Sequence, residues 1–165
     1  LGQRLDNPYD LDHIKHSSRS GNPAMIRLIL NILWFIFGGW ISGLLWLLGG
    51  AILAVTIVGL PYTAAAWRIA GFSFWPFGKE VVSRESLGMS DVGTGGVGVL
   101  LNIIWFIFAG WYIALSHLLI AVAEFVSIIG IPFALKDLQL AMLALAPIGK
   151  TVVEVGTPVR APRQV

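Results

Sequence analysis

Asn31, Asn102, His117 and Glu124 are the side chains best placed to do chemistry in this chain, because each is a polar group set in otherwise apolar sequence. Such groups are costly in a hydrocarbon setting and ask for a reason. Asn31 and Asn102 sit in matching surroundings, NILW and NIIW. Their amides either line a path for an ion or solute, or hydrogen-bond each other or a broken stretch of backbone. The second reading is favoured, because amide bonds hold membrane helices together. Thr56 and Ser127, also matched, suit bonds back to their own helix. His117 and Glu124 lie seven residues apart, on one face of a helix or across a turn near Ile120. They read either as a protonatable pair at an extracytoplasmic mouth, with the histidine titrating near neutrality, or as two solvated residues at the membrane surface. The solvated reading is favoured.

Other chemistry finds little support. There is no Ser-His-Asp order, no HExxH and no further carboxylate cluster, so an enzyme is not expected. The chain has no cysteine, which excludes disulfides, thiolate metal sites and a cysteine nucleophile. No metal or cofactor is expected. Gly93 to Gly98 formally matches GxGxxG, but no strand precedes it and an apolar helix follows, so a flexible linker is the better reading.

The elements that position these residues come in two copies. Asn31 to Trp40, NILWFIFGGW, returns at Asn102 to Trp111 as NIIWFIFAGW. The same offset of 71 residues aligns Gly59-Leu60-Pro61 with Gly130-Ile131-Pro132 and Pro76-Phe77-Gly78-Lys79 with Pro147-Ile148-Gly149-Lys150, without a gap. Over 52 aligned positions 21 are identical, which marks a tandem duplication. The copies disagree where chemistry is most at issue: Trp46 matches His117, and Leu53 matches Glu124.

Composition places both copies in a bilayer. Hydrophobic residues make up 56% and charged ones 12%, against about 25% charged in soluble domains, and the mean hydropathy is +0.80. From Leu28 to Trp67 there are 40 residues without Asp, Glu, Lys or Arg, enough for two helices of about 20 residues. The formal net charge of +2 gives no reason to expect nucleic acid as a partner. All eleven Lys and Arg fall outside the stretches 28–67 and 85–135. If each uncharged block is a helical hairpin, both termini are then cytoplasmic by the positive-inside rule.

The expected fold is an all-α integral membrane protein, a tandem duplication of a helical-hairpin unit with about four transmembrane helices. Gly49-Gly50 is the preferred turn of the first hairpin, and Gly38-Gly39 the alternative. Gly39 and Gly43, echoed by Gly110 and Ala114, form a small-residue face that lets helices approach closely in lipid. Gly59 and Pro61, like Gly130 and Pro132, predict a kink or break in the second helix of each copy. The stretches after them, 62–74 and 133–145, either continue the span or lie at the interface. Residues 1–24 read as a polar tail with no secretory signal, and Met25 as a natural start. Residues 25–83 form the first repeat, 84–98 a Gly-rich linker, 99–155 the second repeat and 156–165 a polar tail.

The decapeptide, the Gly-x-Pro, the Pro-x-Gly-Lys-x-Val-Val endings and the duplication together resemble the YccF family of inner membrane component domains. The resemblance runs from Met25 to about Val155 and leaves the first 24 residues unexplained. It implies a small multi-pass protein of the bacterial cytoplasmic membrane and supplies no activity, ligand or catalytic residue. Two functions follow as expectations. One is a structural or interaction component that assembles a homo-oligomer, or docks a membrane partner, through its small-residue faces. The other is an oligomeric ion or solute channel lined by Asn31, Asn102, His117 and Glu124.

Overall fold

The computed structural model describes residues 22–159, so most of the two polar tails lies outside the described residues. Asn22 opens the first helix, its side chain accepting from the Ala24 N–H at 3.1 Å, and Pro23 occupies the first turn, where no N–H is needed. Helix α1 (Pro23–Trp34) passes through a widened turn, Phe35–Gly39, into α2 (Trp40–Ala54). Gly38 takes φ +149° at this kink, a conformation open chiefly to glycine. After a turn, α3 (Leu60–Phe74) runs back and leads into β1 (Lys79–Ser83). The second copy repeats the order as α4 (Gly95–Trp105), a widened turn at Phe106–Gly110, α5 (Trp111–Glu124), α6 (Ile131–Leu145) and β2 (Lys150–Glu154). Ala109 replaces Gly38 there, and the backbone keeps negative φ.

The chain does not reverse at Gly49-Gly50. Helix α2 runs through both glycines, and the turn is Val55–Gly59. Gly50 serves packing instead, since a Cβ added there would lie 2.6 Å from the Trp67 ring of α3. The Gly-x-Pro motifs also differ from expectation. Gly59 and Gly130 cap α3 and α6, with Pro61 and Pro132 in their first turns. A proline there begins a helix rather than interrupting one. Four helices of comparable length are therefore not formed among the described residues. Pro23–Ala54 and Gly95–Glu124, of 32 and 30 residues through their kinks, are long and apolar enough to cross a membrane. The returning helices have 15 residues each, about 22 Å of rise.

The short helices form the middle of the molecule. Ala65, Ala66, Ile69, Ala70 and Phe72 of α3 and Ala134, Leu140, Leu143 and Ala144 of α6 are buried. The long helices instead expose most of their apolar side chains, such as Ile36, Leu45, Ile107 and Leu119.

An all-α fold is also corrected. β1 and β2 pair antiparallel, with Lys79 opposite Glu154 and Val81 opposite Val152. Val81 and Val152 are equivalent residues, so a local two-fold passes through the centre of the ribbon. The two strands are rich in valine, a good strand former, but each finds its partner only in the other copy. The stretch expected as a flexible linker is ordered too: Asp91, Gly93 and Thr94 bond one another, Arg84 pairs with Asp91, and α4 begins at Gly95.

Candidate functional site between the repeats

Asn31 and Asn102 do structural work within their own copies. The Asn31 amide donates to the Phe77 carbonyl and accepts from the Phe77 N–H, both at 2.9 Å. Asn102 treats Ile148 the same way, at 3.1 and 3.0 Å. Each amide mimics a peptide group and satisfies the extended chain just after a helix end. The two asparagines do not bond each other, and neither lines the cavity described below. The neighbouring indoles repeat the device: Trp34 donates to the Ser73 carbonyl at 2.6 Å, and Trp105 to that of Ala144 at 2.7 Å.

The small-residue positions are likewise occupied inside each copy. A Cβ on Gly39 would strike the Trp34 ring and approach the Ser73 carbonyl, and one on Gly43 would meet the Phe74 ring at 2.6 Å. Gly110 packs against Ala144 and Trp105, and Ala114 is buried. These positions seat α3 on α2 and α6 on α5.

His117 and Glu124 lie elsewhere than expected. His117 is 7% exposed, and its Nδ1 stands 2.7 Å from Oδ1 of Asp137. The solvated reading therefore fails for His117. Glu124 lines the same cavity as Asp137, and its Oε2 is buried without a hydrogen-bond partner. Asp137 was not singled out in the sequence, although the comparison that exposed the other two would have found it. It stands where the first copy has Ala66, as His117 stands for Trp46 and Glu124 for Leu53. All three departures meet at one place because α6 packs along α5.

These three residues line a half-open cavity of about 630 Å³ between the copies, within the ~300–1,000 Å³ usual for ligand pockets. Its walls are aromatic and aliphatic, including Trp34, Trp46, Trp105, Tyr112 and Phe133. Trp46 and Trp105 stack on each other in its wall, with ring centroids 6.4 Å apart. Reciprocal contacts join the copies at its ends. Tyr62 stacks on Trp105 at 5.3 Å and donates to the Leu101 carbonyl at 2.9 Å, while Phe133, the equivalent of Tyr62, meets Trp34 at 6.0 Å. The lining residues include two carboxylates and one imidazole but no Lys or Arg. The cavity thus combines an acidic spot with aromatic faces that attract positive charge.

Comparison with known proteins places this architecture in a family. The model described as the inner membrane component domain, YccF, matches twice, over residues 29–79 and 100–150, in register with the duplication. The inner membrane protein YccF of Escherichia coli strain K12 is 39% identical over 136 residues, covering 80% of this chain and 90% of that protein. The protein of the same name from Shigella flexneri matches equally well. No solved structure matches the chain. With the domain model recurring over both copies, the chain belongs to the YccF family of inner membrane component domains.

Proposed function

We propose that this is a protein of the bacterial cytoplasmic membrane, with its basic residues and both termini on the cytoplasmic side, that binds a lipophilic organic cation between its two repeats. The membrane location follows from its apolar exposed surface and from the names of its relatives. The observation that carries the ligand class is the aromatic cavity holding Glu124 and Asp137, with His117 beside Asp137 and no Lys or Arg in its walls. A cation with apolar substituents would set its charge against the carboxylates and its body against Trp46, Trp105 and Tyr112, where cation–π attraction adds to desolvation.

Assembly through small-residue faces has less support, because Gly39, Gly43, Gly110 and Ala114 are used within each copy. A pore lined by Asn31 and Asn102 has less still, since both amides are committed to backbone.

The test is equilibrium binding of radiolabelled tetraphenylphosphonium to protein in nanodiscs. Wild type should bind saturably, and Glu124→Gln and Asp137→Asn should each weaken binding at least tenfold while remaining monodisperse. No saturable binding, or equal binding by all three proteins, would contradict the proposal.

A further inference from the structure

The two interhelical turns carry apolar tips. In the first, Val55, Ile57 and Val58 are 78–87% exposed, and in the second Val126, Ile128 and Ile129 are 72–88% exposed. Neither turn contains a charged residue. The one hydroxyl in each is directed back into the turn. Thr56 Oγ1 donates to the Leu53 carbonyl and accepts from the Gly59 N–H, both at 2.9 Å, and Ser127 Oγ accepts from the Gly130 N–H at 2.9 Å. Further bonds run inside the turns, from the Thr56, Gly59, Ser127 and Gly130 amides to nearby carbonyls. A turn facing water has no need of three bare aliphatic side chains, and one placed among acyl chains gains by pairing its polar groups within the turn, as most of the amides and both hydroxyls here do.

The basic residues nearest the tips fix how deep these can go, while Glu124, the last residue of α5 beside the second turn, lines the cavity between the copies. Lys136 lies five residues into α6 and Arg68 eight residues beyond the start of α3, about 8 and 12 Å of helical rise. The Lys136 ammonium donates to the Lys79 carbonyl at 3.3 Å, at the head of the polar ribbon, and to Gln139 at 3.0 Å. Arg68 lies beside Lys79 and strand β2. With these cations and the ribbon at the cytoplasmic surface, the tips stop well short of the far side of a hydrocarbon core about 30 Å thick, even allowing for side-chain snorkelling. Reaching the far surface would instead draw Lys136, Arg68 and the ribbon deep into hydrocarbon, at several kcal/mol per charge.

We infer that both hairpins are re-entrant: their turns, Val55–Gly59 and 125–130, end among lipid acyl chains and do not emerge on the extracytoplasmic side. The inference rests on the membrane location and orientation proposed above, but not on the cation site.

The absence of cysteine makes the test direct. Ile57→Cys and Ile128→Cys, at exposed positions with no packing to lose, are each given a nitroxide label in the full chain reconstituted in lipid vesicles. Ser86→Cys, on the segment after β1, serves as the reference. The tip labels should collide with dissolved oxygen and be shielded from a water-soluble nickel chelate, and an impermeant maleimide should modify neither tip cysteine in intact cells or inside-out vesicles. Nickel accessibility at either tip, or maleimide labelling there from either side, would overturn the inference, whichever variant folds better. Labelling of Ser86→Cys in intact cells would show instead that the orientation is wrong. Recovery of the protein without membranes would remove the location itself.

Discussion

Replacing Asn31 with alanine should destabilise the protein by about 2–6 kcal/mol. The side chain is 1% exposed, and its removal strands two groups, the N–H and the carbonyl of Phe77. Each buried group left unsatisfied costs about 1–3 kcal/mol. Asn31→Leu should lose as much, because apolar volume does not restore either bond. Asn102→Ala removes the equivalent pair of bonds, but Asn102 is only half-buried. Water can then stand in, and the loss should be nearer 1–2 kcal/mol. Reversible unfolding by SDS in mixed micelles, followed through tryptophan fluorescence, measures all three. A change under about 0.5 kcal/mol for Asn31→Ala, or a larger loss for Asn102→Ala, would refute the backbone-clip assignment.

Adjacent glycines in α2 should behave oppositely. A Cβ at Gly49 meets nothing within 4 Å, so Gly49→Ala should raise stability by up to about 1 kcal/mol through helix propensity, whereas Gly50→Ala should lower it by pressing on Trp67 and Ala66. The same SDS titration checks both. Gly39→Leu should displace Trp34 from its bond to Ser73 and unfold the first copy; native mass spectrometry showing a folded protein with only its subunit number changed would contradict this. Tyr62→Phe removes the bond to the Leu101 carbonyl that joins the copies and should cost about 1 kcal/mol in unfolding, with the fluorescence of stacked Trp105 reporting the loosened contact.

Much of the fold was legible because the duplication prints each structural device twice. The paired asparagines, the Gly-x-Pro motifs and the small-residue positions were all identified before their contacts were known. What they do was harder to read. Gly49-Gly50 and Gly38-Gly39 look alike as helix breakers, yet only Gly38 bends the backbone and Gly50 is a seat for an indole. A glycine written for packing and one written for conformation carry the same letter. The ribbon was missed because Lys79–Ser83 has no partner within its own copy, and local pattern cannot reveal a strand whose partner lies in the other repeat. The site was half legible. Divergence between the copies marks His117 and Glu124, but Asp137 lies next to Lys136, and adjacent opposite charges suit an interfacial stretch as well as a site. Only the antiparallel packing of α6 on α5 turns Lys136 toward the ribbon and Asp137 toward His117.

Tetraphenylarsonium offers the most direct test of the cation cavity, because its arsenic can be located by anomalous scattering in crystals grown with the compound. The account predicts a single strong peak inside the cavity, against the wall formed by the stacked Trp46 and Trp105 rings and on the side of Glu124, that is lost in Glu124→Gln crystals. A peak on the outer apolar surface, or none in the wild-type crystals, would contradict it.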